Sequence, residues 1–152
     1  MPGLEDLYRE IILDHYRNPR NRGELETPPA LRVEGFNPLC GDEMTVYAQI
    51  SGNRVDALTY QCSCCGVSMA SASMMSEYVQ GKSLAQLQTS VAAFSAALLA
   101  HAEPPDAGTD SMRHALLKTV RDLPSRTPCA ALPWAILAAA LDGRTETVSV
   151  QV

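Results

Sequence analysis

The chain has 152 residues, 12 Lys and Arg against 17 Asp and Glu, a net charge of −5 and 46% hydrophobic residues. That length suits one domain over 1–152 with its own hydrophobic core, because two halves would each be marginal. The acidic balance argues against a sequence-independent grip on phosphate backbones, and no run of about 18 apolar residues offers a membrane span, so neither nucleic acid nor membrane is expected as a partner.

The start, MPGLEDLYRE, is acidic and amphipathic rather than a basic segment leading into an apolar one, which predicts a soluble, cytoplasmic protein. Leu4, Leu7, Tyr8, Ile11, Ile12, His15 and Tyr16 recur at helical spacing and predict an amphipathic helix over 4–16. RNPRNRGEL ends it, since Pro19 disfavours helical geometry at Asn18 and Gly23 permits a turn. Arg17, Arg20 and Arg22 of this loop read as solvated, with docking onto an acidic partner patch as the functional alternative. Residues 30–35, 44–50 and 54–60 read as an antiparallel meander of about three strands, with Val46, Ala48 and Ile50 alternating against Thr45, Tyr47 and Gln49. From Val67 the period becomes helical, with Ala70, Ser71, Met74, Met75 and Tyr78 on one stripe until Gly81. Ser83 caps a further helix to about His101, Asp110 or Ser111 caps another over 112–121, and a last helix after Cys129 stops at Gly143. Strands first and helices afterwards indicate an α+β domain with helices on one face of a small sheet.

Five cysteines is an odd number, and a chain of this size needs no disulfide staples, so metal or redox chemistry outranks a disulfide framework. Cys40 falls in the turn NPLCGD before the second strand, Cys62, Cys64 and Cys65 fall where the third strand hands over to a helix, and Cys129 falls before the last helix. Cys65 and Cys129 thus precede predicted helix N-termini, where unsatisfied N–H groups favour a thiolate, which is both nucleophile and metal ligand. With Asp42 the inventory is three sulfurs and one hard oxygen, enough for tetrahedral Zn²⁺ or the edge of an iron–sulfur cluster. No paired Cys-x-x-Cys knuckles are present, and spacing alone leaves scattered structural cysteines as the competing reading. Met69, Met74 and Met75 read as core filler, His15 as part of an apolar stripe, and His101 and His114 as helix-surface positions.

LYREIILDHYRNPRN, NPLCGD, CGVSMASASMMSEYVQGKS and LPSRTPCAALPW, in that order, resemble the successive blocks of the U-type iron–sulfur cluster assembly proteins, specifically the SufU branch of the IscU/NifU N-terminal family, over about 4–142. The resemblance implies the SufE/NifU-like α+β fold and a ligand set of Cys40, Asp42, Cys65 and Cys129. The scaffold branch usually has a His before its last Cys, where this chain has Pro128, and it lacks the insertion VAAFSAALLAHAEPPDAGTD. Both departures favour the SufU branch, and so imply a Zn²⁺-dependent sulfurtransferase. In that reading Cys40 accepts persulfide sulfur from a SufS-like cysteine desulfurase, and Arg126 holds the thiolate or persulfide electrostatically. The sulfur then passes to a downstream SufB-like scaffold or to apo-proteins. The alternatives are a scaffold assembling a transient [2Fe-2S] cluster on the same ligands and, more blandly, a zinc-stabilised interaction module. Cys62 and Cys64 match no family ligand and read as strand-end packing residues, with a sulfur relay or a disulfide as the other options.

Overall fold

The computed structural model describes residues 3–38, 41–102 and 111–150. Among them the order is α1 (Leu4–Arg17), β1 (Leu31–Asn37), β2 (Asp42–Ser51), β3 (Arg54–Ser63), α2 (Gly66–Tyr78), α3 (Leu84–Ala100), α4 (Ser111–Asp122), a 3₁₀ turn (Pro124–Arg126), α5 (Thr127–Leu141) and β4 (Val148–Ser149). The sheet is four-stranded in the order β3-β2-β1-β4. β1 and β2 pair antiparallel from Leu31↔Ala48 to Asn37↔Asp42, and β2 and β3 pair from Glu43↔Ser63 to Ser51↔Arg54. β4 adds to β1 in parallel through Gly35↔Val148 and Phe36↔Ser149, a strand absent from the sequence reading because two residues carry no alternation.

Alternation decides which face the helices cover. Val33, Gly35, Met44, Val46, Ala48, Leu58 and Tyr60 are buried on the inner face, while Arg32, Glu34, Glu43 and Gln61 are exposed. α5 packs on β1 and β2 and against α2 and α3. Its Trp134 meets Phe94 of α3 edge-on at 4.6 Å between centroids and Tyr78 of α2 at 5.6 Å. The indole Nε1–H donates to Ser71 Oγ at 2.9 Å, so the ring is buried without an orphaned donor. Gly35 permits the close approach of α5 to the sheet, since a Cβ there would fall 2.5 Å from Ile136 Cδ1.

Helix ends follow their local chemistry. Ser83 and Gln86 form a reciprocal capping box at the start of α3, and His101 closes that helix in the left-handed conformation at φ 55°. α5 departs from the sequence expectation: it begins at Thr127, so Cys129 is its third residue rather than a residue before it. Pro128 explains this, because a proline in the first turn loses no hydrogen bond and its φ is preset for the helix. The first part of the inserted segment forms the second half of α3 and supplies buried Val91, Phe94 and Leu98 to the core. The rest, with the expected cap Asp110, lies outside the described residues.

α1 is fastened to α2 by polar side chains. His15 is 3% exposed, its Nδ1 lies 2.7 Å from Ser73 Oγ, and its Nε2 lies 3.3 Å from Glu77 Oε1. Arg20 is no free solvated cation, since its guanidinium pairs with Asp14 at 2.6 Å and its backbone N–H donates to Ser73 Oγ at 3.0 Å. His101 also departs from its surface reading, being half-buried with Nε2 2.8 Å from Thr127 Oγ1. Met74 and Met75 are fully buried filler, as expected.

Two predictions follow from this packing. Gly35→Ala forces Cβ onto Ile136 and is expected to lower stability by about 1–3 kcal/mol, read from urea unfolding midpoints. Burial, and secondarily the charge of Arg20, hold the His15 pKa below its usual 6.5. The folded ring thus stays neutral where the unfolded chain already binds a proton. Its contribution is fully present above pH 6.5 and is lost as pH falls below it. His15→Gln should therefore flatten the fall of stability with pH below that point, and parallel slopes for variant and wild type would refute the assignment.

Candidate metal centre

Three chain segments converge at one end of the sheet. The turn after β1 closes with Gly41 N–H donating to Asn37 O at 2.9 Å, and Gly41 sits at φ +76°, where an L side chain is strained. This returns the chain so that Asp42 opens β2 opposite Asn37, and both are buried. Cys40, expected in this turn, lies outside the described residues.

The second segment is the junction of β3 and α2. Cys65 is the N-cap of α2, extended at φ −74° and ψ 170°, and its N–H donates to Asp42 Oδ1 at 3.1 Å. Ser68, three residues on, places its Oγ 2.8 Å from Asp42 Oδ2 and 3.6 Å from Cys65 Sγ. The third segment is the first turn of α5, where Cys129 is 1% exposed. Pro133 lies inside that helix and has no N–H for the carbonyl four residues earlier, which belongs to Cys129. Ser68 Oγ approaches that carbonyl at 3.0 Å, so its single proton serves either Asp42 or the acceptor that the proline leaves open. Asn37 Nδ2 adds a contact to Cys129 Sγ at 3.9 Å.

The outcome is that a carboxylate oxygen of Asp42 and the sulfurs of Cys65 and Cys129 all lie within 4.8 Å of one another. Ligands of one tetrahedral zinc, with bonds of about 2.0–2.3 Å, stand roughly 3.3–3.8 Å apart, so modest side-chain rotation closes the set. Two thiols and a carboxylate suit Zn²⁺ or iron, and a tetrahedron needs one more donor. Cys65 is half-buried and opens onto a depression of about 240 Å³ lined also by Ile12, Leu13, Tyr16 and Arg126. Arg126, exposed on the 3₁₀ turn, thus shares a surface with Cys65. His15 and His101 are engaged elsewhere, by Ser73 and Thr127, and among the described residues no histidine joins the cluster.

Residues 7–130 match the family of NifU-like N-terminal domains. The chain belongs to that family of U-type iron–sulfur cluster assembly proteins. It is 34% identical to the "Zinc-dependent sulfurtransferase SufU" of Bacillus subtilis over 88% of each chain. It is also 30% identical to the "Iron-sulfur cluster assembly scaffold protein IscU" of Thermotoga maritima, over 89% of this chain and 92% of that one. Among solved structures, a putative SUF-system scaffold protein from Fervidobacterium islandicum superposes with a TM-score of 0.75 at 27% identity, covering 91% of this chain and 99% of the other. A NifU-like protein from Brucella abortus, at 23% identity and a TM-score of 0.75 over 92% and 96%, shares the fold.

Sequence reasoning passed over Ser68, Asn37 and Pro133. Two of them are readable from spacing: Ser68 is three residues after an N-cap thiol, and Pro133 is four after a helical one. Ser68→Ala removes the hydroxyl that lies within reach of Asp42 and of the Cys129 carbonyl. It is expected to weaken Zn²⁺ binding by about 10–100-fold, checked by chelator competition.

Proposed function

We propose that the chain is a zinc-binding sulfurtransferase that accepts persulfide sulfur from a cysteine desulfurase through Cys40 and passes it on for iron–sulfur cluster biogenesis. The observation that carries this reading is the convergence of Asp42, Cys65 and Cys129 within 4.8 Å, in a chain whose similarity to a zinc-dependent sulfurtransferase runs over 88% of its length. The residues to hold Zn²⁺ are Asp42, Cys65, Cys129 and Cys40. The chemistry a bound Zn²⁺ supplies there is stabilisation of the thiolates and of the segments that carry them.

The remaining work belongs to the side chains. The Cys40 thiolate attacks the outer sulfur of the desulfurase persulfide, the sulfur–sulfur bond breaks, and the desulfurase thiolate leaves. Cys40 then carries the persulfide, with no net oxidation or reduction of the pair. Asp42, held by the Cys65 N–H and within reach of the Ser68 hydroxyl, is a hard oxygen donor beside soft sulfurs, suited to exchange. Arg126, which lines the same depression as Cys65, supplies the positive charge for an incoming persulfide anion in this reading. A SufS-like desulfurase supplies the sulfur, and a SufB-like scaffold or apo-proteins receive it. No helix among the described residues is long and apolar enough to cross a membrane.

A scaffold reading, in which the same residues assemble a transient [2Fe-2S] cluster as cargo, is favoured by the similarity to the Thermotoga scaffold protein. Pro128 weighs against it. Buried as the second residue of α5, it offers no ligand atom beside Cys129.

Anaerobic incubation with the desulfurase, cysteine and ferrous iron separates the two. Retained zinc, accelerated desulfurase turnover and no visible chromophore are expected. Zinc loss with cluster absorbance and little acceleration would make the chain a scaffold. Cys40→Ala should abolish the acceleration, and full acceleration by that variant would remove Cys40 as acceptor. Asp42→Ala should keep part of the metal and alter its exchange rate.

A further inference from the structure

Two of the chain's five cysteines have no part in the acceptor site. Cys62 and Cys64 are joined by a disulfide, with Cα atoms 5.5 Å apart and one residue between them. So short a loop restricts the unfolded chain less than any longer bridge, which makes the bond a poor structural staple. The junction is already fixed on both sides, by the pairing of Ser63 with Glu43 and by the Cys65 N–H on Asp42. Stability therefore does not explain the pair.

Its position suggests a different use. Cys62 is at the inner-face register opposite Met44, and Cys64 is the covalent neighbour of Cys65. Both are half-buried rather than sealed in the core. Cys62 lines an open depression of about 430 Å³ with Arg22, Gly23 and Gln61, next to the point where the Arg22–Gly23 segment bridges the β3 edge at Tyr60. A thiol reagent thus has access to a redox pair beside a metal-ligand sulfur.

Sulfur arriving as a persulfide is sulfane sulfur, and sulfide is two electrons more reduced. A dithiol closing to a disulfide releases two electrons. Building on the sulfur-acceptor reading above, we propose that Cys62 and Cys64 form a dithiol/disulfide couple that reduces sulfane sulfur delivered to this site and releases it as hydrogen sulfide. The Cys64 thiolate attacks the outer sulfur of a persulfide carried by a thiol of the site, that thiol leaves as thiolate, and Cys64 becomes the persulfide. Cys62 then attacks the inner sulfur at Cys64. The persulfide bond breaks, hydrosulfide departs with the proton given up by the Cys62 thiol, and the Cys62–Cys64 bond forms. The two cysteines lose one electron each, and the sulfane sulfur gains both. A dithiol reductant, oxidised to its own disulfide, resets the pair for another turnover.

The test is a single turnover without added thiol. Reduced, zinc-loaded protein is freed of reductant anaerobically and mixed with the desulfurase and one equivalent of ³⁵S-cysteine. Label bound to the chain, free sulfide, and the Cys62–Cys64 bond by alkylation and mass spectrometry are measured together, against desulfurase alone. Wild type should release about one sulfide per chain with matching disulfide formation. Cys62→Ser should take up label to the same extent and release at least roughly tenfold less sulfide. Cys64→Ser removes the other half of the couple and must show the same loss of release, which guards against a folding defect in one variant. Equal sulfide release by wild type and both variants, with label bound, overturns the couple and leaves the acceptor reading standing. Absence of label on the Cys62→Ser and Cys64→Ser chains, with no wild-type sulfide beyond that of desulfurase alone, overturns both.

Discussion

The hydroxyl of Ser68 and the missing N–H of Pro133 together set the geometry of the site. A proline four residues after Cys129 leaves the Cys129 carbonyl without its helical donor, and an unpaired buried carbonyl carries a desolvation cost of about 1–3 kcal/mol. Ser68 Oγ stands within hydrogen-bonding reach of that carbonyl and of Asp42. One small side chain on α2 thereby couples the start of β2 to the start of α5. This contact acts beside the direct hydrogen bond from the Cys65 N–H to Asp42 Oδ1 at 3.1 Å.

The serine content of α2 extends the same logic. Ser68 and Ser71 face α5, where Ser71 donates to Ala130 O at 2.6 Å and accepts from Trp134. Ser73 and Ser76 face the other way, toward His15 and the 20–21 segment. A helix buried on several sides but carrying short hydroxyls lets two neighbours approach closely while every hydroxyl finds a partner. A leucine at any of these positions would push α1 or α5 away and widen the site. The apolar stripe read from the sequence is real, yet the polar positions between its members set the spacing.

The elements of the fold were legible wherever a period or a cap was strong. α1, the three long strands, and α3 with its Ser83 capping box all stand within a few residues of their expected places. β4 was not legible, because two residues that add in parallel to β1 have neither alternation nor a hairpin turn to announce them. The start of α5 was misplaced because Cys129 was taken as a boundary, whereas the helix begins at Thr127 with Pro128 in its first turn. Among the site residues, Asp42, Cys65 and Cys129 were expected together and are found together. The hydroxyl and amide that steady them were missed because Ser and Asn are common in turns and helices, and only three-dimensional proximity distinguishes them.

The site is held unequally, and its proposed chemistry needs that inequality. Asp42 and Cys129 are 5% and 1% exposed, so this side resists solvent and keeps its shape through exchange. Cys65 is half-buried at a helix N-terminus and opens to a depression shared with Arg126. A donor set sealed on every side would bind metal and do no more, while one exposed on every side would lose its thiolates to oxidants and competing metals. Sulfur exchange needs a rigid inner rim to preserve the ligand geometry and an accessible outer rim for a partner's persulfide. Cys64 directly precedes Cys65 in the chain, so in the proposed reduction the Cys62–Cys64 couple would act beside that outer rim.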